Sequence, residues 1–177
     1  MNLNTERFIL RKTTVEDCDN MFNLLNDPEV VKYLNMNIHN TREDTKKLID
    51  EYLTEYQLGN KYPFTIITKD TNEFVGIFLI KLDLYDEDCY EFTIYLDKKY
   101  WNKGIYKEIL PYMTRFAFDN IKTNNFRGFV MEDNIASSKV LEYCNFKLEK
   151  VFTVPNIEGK IKSYLMTKDD YISINSE

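Results

Sequence analysis

Glu91-Phe-Thr-Ile-Tyr-Leu-Asp-Lys-Lys-Tyr-Trp-Asn-Lys-Gly-Ile-Tyr106 reads as an apolar strand that runs into a short basic turn with one glycine, and then at once into a helix. A strand-turn-helix junction of this kind leaves successive backbone N–H groups without an intrahelical partner, and the helix dipole adds positive potential there. Such a place suits a phosphate group.

The flanking sequence supplies the rest of the architecture. Upstream, Phe8 to Lys12 reads as a first strand. Thr14 with Asp17 three residues on forms a capping-box pattern, and Cys18, Met21, Phe22 and Leu25 share one helical face before Asn26-Asp27-Pro28 stops the helix. A short helical turn is expected over Glu29 to Leu34. Asn40 or Thr41 caps a longer helix to about Gln57, with Leu48, Ile49, Tyr52, Leu53 and Tyr56 as its apolar stripe. The period then changes to that of strands at Phe64–Thr68, Phe74–Ile80 and Tyr90–Leu96.

Downstream of Gly104 a helical pattern runs to about Asn120, with Pro111 expected to kink or delay it. Phe126–Met131 is a strand, Ser137–Cys144 a short helix, and Phe146–Val154 and Ile161–Met166 the last strands. Antiparallel hairpins followed by two helical crossovers predict a mixed α/β fold. Its central sheet would have about six to seven strands, antiparallel in the first half, with a parallel splayed pair around the strand ending at Leu96 and helices on both faces. A ligand is expected where the parallel strands part.

Composition narrows the function. With 177 residues, 44% hydrophobic and 15% aromatic, the chain suits one domain over residues 1–177. A formal charge of −6, from 29 acidic and 23 basic side chains, argues against nucleic acid as a partner and favours a cationic one. Cys18, Cys89 and Cys144 are odd in number and scattered, so neither a disulfide framework nor a metal site is expected. No basic segment followed by an apolar core opens the chain, and no apolar run approaches the roughly twenty residues that span a bilayer. A soluble cytoplasmic protein is expected, with no membrane partner, as a monomer or homodimer.

Four segments, in order, resemble the GNAT acyltransferases, and within them the branch similar to ribosomal-protein N-terminal acetyltransferases. They are Thr5-Glu-Arg-Phe-Ile-Leu-Arg11, Asn26-Asp-Pro-Glu-Val-Val-Lys-Tyr-Leu34, Tyr100-Trp-Asn-Lys-Gly-Ile-Tyr106 and Asn134-Ile-Ala-Ser137 through Phe146. The resemblance spans nearly the whole chain. It implies acetyl-coenzyme A as cosubstrate, lying between the strand that ends at Leu96 and the strand Phe126–Met131. Its pantetheine would pair with backbone near Tyr95 and Leu96, and its pyrophosphate would rest on the amides of Trp101, Asn102, Lys103, Gly104, Ile105, Tyr106 and Lys107. Gly104 matches the family's central glycine. Asn102 and Tyr106 depart from the pattern, which usually has glycine at the first and glycine or alanine at the second. Asn145 replaces a common glycine at the end of the short helix, where asparagine tolerates the left-handed conformation.

By the same resemblance, Glu91 stands where relatives place a carboxylate that takes the amine's proton, and an apolar cleft would raise its pKa toward a useful value. Asn134 would fix the cofactor by its amide, and it can also cap the following helix. Ser137 matches the serine proposed in this branch to protonate the leaving thiolate; the superfamily's alternative, a tyrosine four residues further on, is Leu141 here, and Tyr143 is offset. Each of these also has a plain structural reading, as a strand glutamate, a helix cap and a first-turn serine. His39, the single histidine, is either a loop residue or part of the acceptor site. Cys144 lacks a neighbouring histidine and fits a packing role. Tyr33, Tyr85 and Tyr90 are candidates for lining the acceptor cleft, and the acidic run Asp83–Asp88 reads as a solvated hairpin tip.

These readings converge on direct acetyl transfer in a ternary complex to an amine, either a small molecule or a protein N-terminus, with no metal. The alternative is an acyl-coenzyme A binding module of the same fold that has lost transfer, motivated by Asn102 and Tyr106.

Overall fold

The periodicities expected from the sequence become eight strands and six α-helices in a computed structural model that describes residues 2–32, 36–155 and 157–176. The strand order is β1-β2-β3-β4-β5-β6-β8-β7, where β1 is Asn2–Asn4, β2 Phe8–Lys12, β3 Lys61–Thr68, β4 Phe74–Leu82, β5 Cys89–Leu96, β6 Asn125–Met131, β7 Lys147–Phe152 and β8 Ile161–Thr167. The sheet is mixed, as the sequence predicts, with one or two strands more than expected; the short edge strand β1 is the addition at the N-terminal end. Two compact units divide the chain. The first takes the residues up to Ile80 together with Ile94–Ile105, and the second takes Lys81–Thr93 and the residues from Tyr106 onward.

In the first unit β2 pairs antiparallel with β1 and with β3. Asp17 ties this ladder to the helices. Its carboxylate, only 3% exposed, accepts from Arg11 Nη1 at 2.8 Å and Nη2 at 2.6 Å, from the Thr14 amide at 2.9 Å and from Thr65 Oγ1 at 2.9 Å. The predicted capping box of Thr14 and Asp17 thus forms, and it opens a 3₁₀ turn, Val15–Asp17, that leads into α1, Cys18–Leu25. α2, Pro28–Val31, is capped by Asp27, and α3, Arg42–Leu58, by Thr41, with Gly59 left-handed (φ +79°) at its end. Tyr33 and Leu34, included in the expected second helical turn, lie outside the described residues. Met21, Leu24, Leu25, Val30, Val31, Ile49, Tyr52, Ile77 and Leu79 form the buried cluster of this unit.

In the second unit β5 and β6 make the predicted parallel pair, in the register Cys89↔Asn125 to Phe92↔Gly128. β6 pairs antiparallel with β8, and β8 with β7. The second helical crossover therefore skips one position, which β8 fills. α4 spans Ile105–Phe116 and α5 Ile135–Tyr143. Pro111 does not delay α4, which starts at Ile105; Lys107 and Pro111 are both on its exposed face, so the carbonyl that proline leaves unbonded is open to water. The helix ends in one π turn, Ala117–Ile121. α6, Lys168–Asn175, was not expected, although Thr167 and Asp170 form a capping box at its start. Phe92, Phe118, Phe126 and Phe146 pack as a ring cluster, with Phe92 and Phe126 centroids 4.6 Å apart. Among the described residues no helix is long and apolar enough to cross a membrane.

Burial alone would push the Asp17 carboxyl up, but the donors from Arg11, Thr14 and Thr65 outweigh it and hold its pKa below the ordinary value. The stabilisation is full above the unfolded pKa of about 3.9 and is lost as pH falls through the lower folded value. Asp17→Asn is expected to lower the unfolding free energy at pH 7 by about 2 kcal/mol, because it strands a partly buried guanidinium. Urea titrations of both proteins at pH 7 and pH 3 check this: the gap should shrink at the lower pH.

Candidate active site

The strand-turn-helix junction belongs to the first unit as far as Ile105. A Cβ on Gly76 of β4 would lie 2.0 Å from the Tyr95 carbonyl oxygen and 3.0 Å from Leu96 Cα, so the end of β5 lies directly against a backbone that carries no side chain. The Asp97 amide donates to the Val75 carbonyl at 3.0 Å. Asp97 Oδ1 then accepts from the Lys99 amide and caps a 3₁₀ turn, Lys98–Tyr100. The Tyr100 and Trp101 amides close this turn on the Asp97 and Lys98 carbonyls, at 2.8 and 3.1 Å. Trp101 therefore does not offer the free amide expected of it. Its indole Nε1 donates back to the Leu96 carbonyl at 2.8 Å, which takes up one acceptor site on a residue assigned to pantetheine.

Beyond Trp101 the chain turns on two left-handed residues, Asn102 at φ +57° and Gly104 at φ +70°. Asparagine is one of the few side chains that enters this region readily, so Asn102 performs the conformational task of the glycine common in the family. A Cβ at Gly104 would meet nothing closer than Arg7 Nη2, at 3.9 Å. At Ile105 α4 begins, and its first-turn amides have no carbonyl four residues back to bond.

Ion pairs and hydrogen bonds hold this exposed turn in place. Lys98 pairs with Asp27 at 2.9 Å and with Glu29, which gives the Asn26-Asp27-Pro28-Glu29 segment a concrete purpose: Asp27 caps α2 and also grips the turn. Tyr100 donates to Glu73 at 2.8 Å and Lys99 pairs with it at 3.3 Å. Burial, and then Glu73, push the Tyr100 phenol up to about 12. Arg7 Nη1 donates to the Lys103 carbonyl at 3.1 Å. His39 is buried in the same unit, with Nδ1 2.8 Å from Thr45 Oγ1, and its backbone is bonded to Leu25 and Asn26. Burial pushes its pKa down, so it serves as a neutral clasp between α1 and α3.

The second unit holds the other candidates. Glu91 is opposite Arg127 in the β5–β6 register, its side chain is 14% exposed, and its carboxylate pairs with Lys81 Nζ at 2.9 Å. Its surroundings are thus not the apolar cleft expected, because Lys81 brings an ammonium to it. Asn134 Oδ1 accepts from the Ser137 amide at 3.1 Å and caps α5, and Ser137 is half-buried in the first turn. Leu141 is fully buried. Tyr143 is exposed, with the Lys107 ammonium 3.6 Å from its ring centroid. The Tyr106 phenol is desolvated and feels Cys144, which raises its pKa. Burial pushes the Cys144 thiol up to about 11. Asn145 is left-handed (φ +65°), and the Asn145 and Phe146 amides return to the Glu142 and Leu141 carbonyls, closing α5 as expected.

Two sequence readings change here. The acidic run is not simply a solvated tip: Asp83, 10% exposed, pairs with Arg127 at 2.7 Å, and Arg127 also pairs with Glu149 at 3.2 Å. Tyr85 is 96% exposed, and Tyr33 lies outside the described residues.

The sequence model of the family described as "Acetyltransferase (GNAT) domain" matches residues 7–147. The chain belongs to the GNAT acetyltransferases. It is 28% identical over 148 residues, 83% of each chain, to the uncharacterized N-acetyltransferase p20 of Bacillus licheniformis. Its fold matches that of a ribosomal-protein-S5-alanine acetyltransferase from Vibrio fischeri, with TM-score 0.83, 16% identity, and 97% and 98% of the two chains covered. It also matches a spermidine N-acetyltransferase from Vibrio cholerae solved with CoA and spermine, with TM-score 0.81, 16% identity, and 93% and 98% covered. In this acetyltransferase the residues that sequence reading passed over are Arg7, Gly76 and Arg127. For Gly76 a signal exists, since an isolated glycine inside an apolar strand marks a close backbone approach.

Gly76→Ala is expected to lower the unfolding free energy by about 1–3 kcal/mol, read as a lower urea midpoint at constant m, because a methyl group cannot share space with the Tyr95 carbonyl. An unchanged midpoint would contradict the close approach.

Proposed function

We propose that this acetyltransferase moves the acetyl group of acetyl-CoA directly to an amine within a ternary complex. The observation that carries the proposal is the turn from Asn102 to Ile105. Two left-handed residues, one of them Gly104 with open space at its Cβ position, lead into a helix whose first-turn amides lack intrahelical partners, with Lys98, Lys99 and Lys103 nearby in sequence. The residues fit a pyrophosphate. When bound, acetyl-CoA supplies the acetyl group as an activated thioester.

The chain's own groups then have separable tasks. Amides from Asn102 onward, continuing to Tyr106 and Lys107, hold phosphate oxygens. Glu91 takes the amine's proton, directly or through water, and an incoming ammonium competes with Lys81 for the same carboxylate. Ser137 donates a proton to the departing thiolate, and Asn134 keeps the first turn of α5 in place. A covalent acyl-enzyme is unnecessary. Cys144 and Cys89, pushed up to about 11 and about 12, hold almost no thiolate at neutral pH, and His39 is occupied by Thr45.

An amine acceptor agrees with the net charge of −6 and with relatives named for a polyamine and for a protein alanine. Against the binding-module alternative, Asn102 adopts a left-handed conformation, as the glycine it replaces would.

Thiol release from acetyl-CoA with a panel of polyamines, amino sugars and N-terminal peptides tests the reading. At least one amine should be turned over, and Glu91→Gln should lower kcat roughly a hundredfold and shift the pH profile. Turnover with an unaltered profile would remove Glu91 as the base, and no turnover with any amine would contradict transfer itself.

A further inference from the structure

Arg7 is exposed just before β2, yet its guanidinium reaches the turn. Nη1 donates to the Lys103 carbonyl at 3.1 Å, and Nη2 lies 3.9 Å from the place a Cβ would take on Gly104. The arginine is itself well placed: its own carbonyl accepts from the Lys69 amide at 3.0 Å, and its guanidinium lies 5.0 Å from the ring centroid of the buried Phe8.

The consequence follows from peptide geometry. In a planar trans peptide the C=O and N–H point in opposite directions, and Lys103–Gly104 is trans. Holding the Lys103 oxygen toward Arg7 therefore turns the Gly104 N–H to the opposite side. Without that hold, this peptide is the easiest one in the turn to flip, because glycine accepts either sign of φ. A flip would replace a donor by a carbonyl oxygen at a place meant for phosphate.

We propose that Arg7 is a positioning residue that fixes the Lys103–Gly104 peptide, so that the Gly104 amide points to the pyrophosphate of CoA. The proposal rests on the acetyl-CoA reading above. The task calls for a guanidinium in particular, since its rigid planar group fixes the direction in which an N–H meets the carbonyl. An ammonium supplies the charge without that planar group.

The test combines calorimetric titration with CoA and the ¹H–¹⁵N resonance of Gly104, for the wild type, Arg7→Ala and Arg7→Lys. Arg7→Ala should weaken CoA binding roughly tenfold or more and displace the Gly104 amide resonance in the free protein. The affinity for S-acetylpantetheine, which lacks the pyrophosphate, should stay unchanged. Arg7→Lys should resemble Arg7→Ala. Wild-type CoA affinity in Arg7→Ala, full recovery by lysine, or equal losses for CoA and S-acetylpantetheine would each overturn the proposal. A wild type that binds no CoA would overturn the acetyl-CoA reading instead, and the free-protein Gly104 resonance would then decide on Arg7: an unmoved signal in Arg7→Ala rules out the peptide lock.

Discussion

A loop that offers backbone amides to a ligand gives up the hydrogen bonds that would otherwise hold it, so its shape has to be fixed by contacts from outside. The turn from Asp97 to Ile105 meets this constraint with side chains distant in sequence. Asp27 and Glu29 grip Lys98, Glu73 holds Lys99 and Tyr100, and Arg7 holds the Lys103 carbonyl. Single exposed ion pairs are weak, but here several contacts act on one short segment, at Lys98, Lys99, Tyr100 and Lys103. Gly76 adds a steric condition, since the end of β5 reaches its position only where the neighbouring strand has no side chain. Within this turn the Asp97, Lys99, Tyr100 and Trp101 amides are bonded, to Val75, Asp97 and Lys98.

The second unit is organised around buried charge. Arg127 connects Asp83, Asp86 and Glu149, and Ser163 donates to Glu149 at 2.7 Å. Three carboxylates around one guanidinium keep the acidic run folded onto β6 instead of free in solvent. A network of this kind specifies one arrangement of its strands, because removing a single member would leave buried charge unmatched. Glu91, next to Arg127 in the register and paired with Lys81, has its carboxylate in a charged setting.

Local signals carried most of the fold. Alternating apolar runs, the capping pair Thr14/Asp17, a cap of the long helix at Asn40 or Thr41, which the structure gives to Thr41, and the asparagine at position 145 all read correctly from neighbours in the chain. The parallel pairing of β5 with β6 followed from the helical crossover between them. The sequence could not disclose contacts between residues far apart in it: Arg7 with Lys103, Asp27 with Lys98, Asp83 with Arg127, and Gly76 beneath Tyr95. Periodicity carries no information on such pairs. The candidate site was legible to the extent that it is local, in the turn and the α5 cap, and misread where a distant partner changes a residue's surroundings, as Lys81 does for Glu91. α6 was overlooked even though Thr167 and Asp170 announce it.

The claim that the turn beyond Trp101 is a preorganised phosphate site can be tested by following backbone amide resonances while CoA is added to the whole protein. Saturable shifts should be largest at Asn102, Lys103, Gly104 and Ile105. A CoA titration that leaves these four amides unmoved would contradict the account.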